Sequence, residues 1–247
     1  MAAQRADKIS WMHGNKNFDG YLVWDDASKK TRPGLLMVPN WYGITDSAIS
    51  KAKTIAGKDY VVLLVDMYGR DLRPKNSDEA SKAAGGVYAE PNELRGRITT
   101  ALAQLKAAGK KAPIDTNNIG AIGFCFGGAV VLDLARSGAD IDGVASFHGN
   151  LASKLPANKP GIVKAAVLVM NGADDKYVSA ESIAAFQKEM QDVKSDWQFV
   201  NFGGAVHCFA EPDETGTVPG CLYHEPSYKR SMKMMRNFFA EKFTVSK

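Results

Sequence analysis

The sequence predicts an α/β fold in which a mostly parallel, twisted sheet of about eight strands carries helices on both faces. Short apolar or β-branched runs alternate with helical stretches along nearly the whole chain, the pattern of repeated strand–helix–strand units. Two early runs, at 8–12 and 21–24, have no helix between them and suit an antiparallel hairpin at the sheet edge. A strand at 118–123 also runs through GFCFGG, residues 123–128, straight into a helical stretch.

Each element follows from its residues. GLLMVP at 34–39 is a short apolar strand, 47–57 a helix and 61–65 (VVLLV) a second strand. Helix formers dominate 76–88 and 93–108, and NIGAIG at 118–123 returns to strand. The helix at 127–137 is followed by strands at 144–147, 167–170 and 197–202, with a helix at 180–192 between the last two. An amphipathic helix at 225–242 closes the pattern. No repeat, low-complexity tract or Pro/Gly/Ser-rich linker divides residues 1–247, so one domain is expected.

Composition narrows the function. Lys plus Arg number 31 against 27 acidic residues, and +4 on such a chain is no basic stripe for nucleic acid. The longest apolar runs are far shorter than the roughly 18 residues a membrane span requires. A soluble protein is expected, a monomer or homodimer, and the sequence leaves its compartment open, with the cytoplasm as one reading. A periplasmic or secreted one is the alternative, since Ala2 and Ala3 would suit a start left by a removed leader. Three cysteines, Cys125, Cys208 and Cys221, are an odd count and leave at least one without a partner in the chain.

Cys125 is the candidate nucleophile. GFCFGG is a G-x-S-x-G nucleophile elbow with Cys in place of Ser, and chance would produce such a match roughly 0.03 times in this composition. The turn is so tight that flanking side chains would collide, which explains its glycines. Cys125 would stand at the positive end of a helix, where a thiolate is favoured. The alternative of a phosphate loop lacks both the Walker lysine and G-x-G-x-x-G spacing.

A hydrolase of this topology supplies its acid and histidine later in the chain. His207, in GGAVHCFAEP after the strand at 197–202, is the candidate base. His148 ends a strand in SFHG and could line the pocket, whereas His13 and His224 read as surface or core polar residues. After the strand at 167–170, NGADDKYV places Asp175 at the acid position, with Asp174 as a turn residue or helix cap. The imidazole would manage the thiol proton while the carboxylate fixes its tautomer.

With these residues in place, the chain resembles the dienelactone hydrolase family of the α/β-hydrolase fold, from the opening hairpin through Asn40–Trp41–Tyr42–Gly43, GFCFGG, GADDKYV and AVHCFAEP. The resemblance implies a Cys125–Asp175–His207 triad that hydrolyses lactones or activated esters through an acyl-enzyme, with no metal or organic cofactor. It also implies an oxyanion hole from the N–H groups of Phe126 and Trp41. Two positions depart from the family. Asn40 stands where members that open dienelactone carry Glu, and Glu211 stands where they carry an Arg that holds the substrate carboxylate. A neutral, aromatic ester or lactone is therefore the expected substrate, with Trp41, Tyr42, Phe124 and Phe209 as apolar walls and phosphotriesters as a secondary class.

Two other classes compete: a thiol-redox or sensor protein built on Cys125, and a non-catalytic binding module on a hydrolase fold. No paired ligand spacing supports a zinc site. Cys208 and Cys221 could close a 13-residue loop as a disulfide in an exported protein, which the sequence leaves open.

Overall fold

The computed structural model describes residues 4–243; Ala2 and Ala3 lie outside the described residues. The strands form one sheet in the order β1-β2-β4-β3-β5-β6-β7-β8. They are β1 (Gln4–His13), β2 (Lys16–Asp25), β3 (Arg32–Val38), β4 (Val61–Leu64), β5 (Ile114–Phe124), β6 (Gly143–Phe147), β7 (Ala166–Gly172) and β8 (Trp197–Phe202). Between and after them run α1 (Asp46–Ala56), α2 (Ser77–Ala89), α3 (Pro91–Ala107), α4 (Phe126–Arg136), α5 (Ala180–Asp192) and α6 (Glu225–Lys242). The chain separates into two compact units, Met1–Ala121 and Ile122–Lys247, with β5 running from one into the other.

In the first unit the hairpin is longer than the sequence suggests. β1 and β2 pair over ten residues each, from Gln4 with Asp25 to His13 with Lys16, around a turn whose Gly14 has φ +55°. Asp19 and Gly20 disguise the strand because both residue types are rare in strands. Asp19 is buried but held by Arg70, Lys8 and Ser10, and the Arg70 guanidinium leads in keeping its carboxylate well below the ordinary range. Gly20 leaves room for the Trp11 ring and the Leu64 carbonyl. β2 joins β4 antiparallel, and β3 lies parallel to β4. Every residue of β4 is buried, as expected when both faces are covered. The Thr45 side chain caps α1 by accepting from the Ala48 N–H.

In the second unit β6, β7 and β8 run parallel, and every residue of β6 and β7 is buried. α4 packs on β6, and α6 on β6 and β7. Arg136, the last residue of α4, is buried. Its guanidinium donates twice to Glu189 of α5, at 2.9 and 2.8 Å, and once to the Leu151 carbonyl. A buried charge with fully formed partners fixes one arrangement of these helices, and removing either partner would leave a costly lone charge. No helix among the described residues is long and apolar enough to cross a membrane.

Candidate active site

Three side chains from three separate turns of the second unit meet. Cys125 occupies the single residue between β5 and α4, with φ +53° and ψ −116°, a conformation that costs a non-glycine residue on the order of 1–3 kcal/mol. The surroundings hold it there. The Cys125 N–H donates to the Phe147 carbonyl at 3.0 Å, and its own carbonyl accepts from the Gly128 N–H at 2.9 Å. A Cβ on Gly123 would strike the Gly127 carbonyl, and one on Gly128 would come within 2.6 Å of Ser146 Oγ, so these glycines are steric requirements. Phe126 opens α4, placing its N–H at the positive end of the helix.

Asp175 follows β7. Its N–H donates to the Gly172 carbonyl, its Oδ1 accepts from the Tyr177 N–H at 2.8 Å, and its Oδ2 lies 2.7 Å from His207 Nδ1. Asp175 is buried while the neighbouring Asp174 is exposed, which separates the two candidate acids. The other ring nitrogen of His207, Nε2, lies 3.1 Å from Cys125 Sγ. Burial works against a charge on His207, but hydrogen bonds and Coulomb attraction to Asp175 and a Cys125 thiolate outweigh it and push its pKa up to about 10.

His207 itself lies in no regular element. Cys208, the next residue, has φ +61° and forms a disulfide with Cys221 across a separation of 13 residues, which answers the pairing the sequence left open. The Leu222 N–H donates to the His207 carbonyl at 3.0 Å, so the far end of the closed loop returns to support the histidine. Cys125 is the remaining free cysteine. Among the described residues one acid and thiol grouping, Cys208, Glu214 and Cys221, is compact enough for a metal ion, and its two sulfurs are bonded to each other.

The other expected positions divide. Phe124 and Phe209 are fully buried, so they are core rather than pocket walls. Phe124 stacks on Phe147 at 4.5 Å, and Phe209 packs against Phe202 and His148. His148 is likewise buried, with its ring edge-on to His207 at 5.2 Å, so it backs the histidine instead of lining a pocket. Glu211 is buried too, and its charge is one of those acting on Tyr228 of α6. His224 contacts Ser227, and His13 contacts Thr100 and Glu93, as polar side chains do in a packed surface. In the first unit Asn40, Trp41 and Tyr42 are half-buried in the turn after β3. Asn40 Oδ1 accepts from the Tyr42 N–H, and Tyr68 donates its hydroxyl to the Trp41 carbonyl at 2.8 Å. Asn40 thus shapes the turn.

Sequence reasoning missed Tyr177. Its ring lies edge-on to His207 at 5.1 Å, opposite in role to the buried His148. Its place two residues after the acid was the available signal.

The family model for the dienelactone hydrolase family matches residues 18–243. The chain belongs to that family. Its fold and its nature as a hydrolase follow from the match and from structural neighbours. One is a dienelactone hydrolase-like promiscuous phosphotriesterase from metagenomic libraries, 33% identical, covering 98% of this chain and all of the other with a TM-score of 0.88. Among sequence relatives, an uncharacterized Caenorhabditis elegans protein is 36% identical over 153 residues, 61% of this chain and 95% of that one. A Bradyrhizobium sp. protein named "Probable 2-oxo-3-(5-oxofuran-2-ylidene)propanoate lactonase" is 26% identical over 187 residues, 72% of this chain and 74% of its own.

Proposed function

We infer that this family member hydrolyses neutral carboxylic esters or lactones through a covalent acyl-enzyme on Cys125. The observation that carries the reading is the unbroken line from Asp175 Oδ2 to His207 and from His207 Nε2 to Cys125 Sγ, at 2.7 and 3.1 Å. The Cys125 thiolate attacks the carbonyl carbon and forms the S–C bond, and the oxyanion is held by the N–H of Phe126. As the C–O bond breaks, His207 donates its Nε2 proton to the leaving oxygen. The now neutral His207 then takes a proton from water, whose hydroxide hydrolyses the thioester and restores the nucleophile. Asp175 stabilises the imidazolium without itself taking the proton.

With Glu at position 211 the chain lacks there the Arg that would hold a substrate carboxylate, which favours neutral substrates, and the named activity of the metagenomic relative supports phosphotriesters as a secondary class. The thiol-sensor reading is weakened because the other two cysteines are bonded to each other and offer Cys125 no resolving thiol. The test compares kcat/KM for a neutral aryl ester and a carboxylated lactone, before and after alkylation of Cys125. Preference for the neutral ester and loss of turnover on alkylation are expected. Preference for the anion overturns the substrate class, and turnover by the alkylated protein overturns the nucleophile.

A further inference from the structure

We propose that Tyr177 determines specificity on the leaving-group side of the reaction, receiving an aromatic ring attached to the leaving oxygen. The inference rests on the ester-hydrolase reading above and adds to it where the aromatic group sits. Tyr177 is one of four large apolar side chains left exposed among the described residues, at 58%, and it lies against a triad ring. Exposure of a large ring is ordinarily accompanied by freedom to move, but this ring is tied at both ends. Its backbone N–H is held by Asp175 Oδ1, and its hydroxyl donates to the Pro219 carbonyl at 2.8 Å. Pro219 lies within the disulfide-closed loop, so the hydroxyl is anchored to a covalently closed segment. An aromatic surface that is both fixed and open is what a binding wall requires, because little side-chain freedom remains to be lost when a ligand docks.

The side of the substrate follows from proton bookkeeping. His207 must deliver its proton to the leaving oxygen, so the group on that oxygen lies at the His207 side of the sulfur, where Tyr177 stands. The acyl group, which stays on Cys125, has no such constraint. An aromatic leaving group gains an edge or offset contact with Tyr177, worth about three- to tenfold in kcat/KM over a saturated ring of the same size.

The experiment uses benzyl acetate against cyclohexylmethyl acetate, two esters of one acyl group whose alcohols leave with similar ease. It adds methyl phenylacetate against methyl cyclohexylacetate, which move the ring to the acyl side. In the intact protein the benzyl ester is favoured. Tyr177→Ala removes that preference and leaves the acyl-side ratio unchanged, while Tyr177→Phe, which keeps the ring and loses the Pro219 hydrogen bond, retains most of it. Equal losses for both acetates in Tyr177→Ala, or a change confined to the acyl-side pair, overturn the proposal. Absence of Cys125-dependent turnover of any of the four esters by the unmodified protein overturns the hydrolase reading, and this inference with it.

Discussion

The elbow that presents Cys125 and the loop that presents His207 reach the same accuracy by different physics. Cys125 is placed by regular structure: a central strand ends, a helix begins, and glycines allow the turn between them. His207 is placed by a segment outside the named strands and helices, tied by the Cys208–Cys221 bond, by an isolated bridge to Cys221 and by the Leu222 N–H on its carbonyl. The first depends on steric space and the second on a covalent tether. They should therefore fail in different ways.

The largest effect is expected at the elbow. Gly123→Ala forces a methyl group into the Gly127 carbonyl, and the turn can admit it only by moving Cys125. A fall in kcat/KM of about a hundredfold or more is expected, since small misplacements of reacting groups cost that much. The far-ultraviolet circular dichroism spectrum shows whether the fold persists. Near-normal activity in a folded variant would remove the steric account of the elbow.

The loop should respond more gently. Cys221→Ser, or reduction of the unmodified protein, opens a loop whose closure contributes roughly 3 kcal/mol by chain entropy, which for a chain of this length lowers the melting temperature by about 6–12 °C. The strand-to-helix turn at Cys125 does not depend on that bond, so alkylation of Cys125 should remain possible while ester turnover falls about tenfold. Unchanged turnover after reduction would show that hydrogen bonds alone hold His207.

The smallest effect is on the pH profile. His207 has its pKa raised from 6.5 to about 10, so its contribution to stability is fully present below about pH 6.5 and is lost as pH rises through about 10. Because the same proton is the one given to the leaving group, kcat/KM should hold through neutral pH and decline above about pH 10. In Asp175→Asn, which removes a charge that raises the His207 pKa, the decline should begin at lower pH. An alkaline limb that does not move in that variant would detach the profile from His207.

The same contrast explains what could be read from the sequence. G-x-C-x-G carries its own geometry, so Cys125 and the glycines around it were legible, and the order of strands led on to Asp175 and His207. The strands and helices of the second unit fall close to their expected ranges because apolar runs bounded by turns define them. The tether was not legible, since two cysteines 13 residues apart say nothing of whether their Cα atoms approach to the observed 4.9 Å. Aromatic residues beside a motif were equally ambiguous. Phe124 and Phe209 read as pocket walls and proved to be core, whereas Tyr177, passed over, is the exposed ring against His207. In the first unit Asp19 and Gly20 hid half of a strand because their partners, Arg70 and Trp11, are supplied by tertiary structure.

The most direct test of the account is to quench the protein during turnover of p-nitrophenyl acetate and map the acetyl group by peptide mass spectrometry. An acetyl thioester on Cys125, formed as fast as the first equivalent of nitrophenol appears, is the predicted result. Steady hydrolysis with no acetyl on Cys125, or with acetyl carried by another residue at the turnover rate, would contradict it.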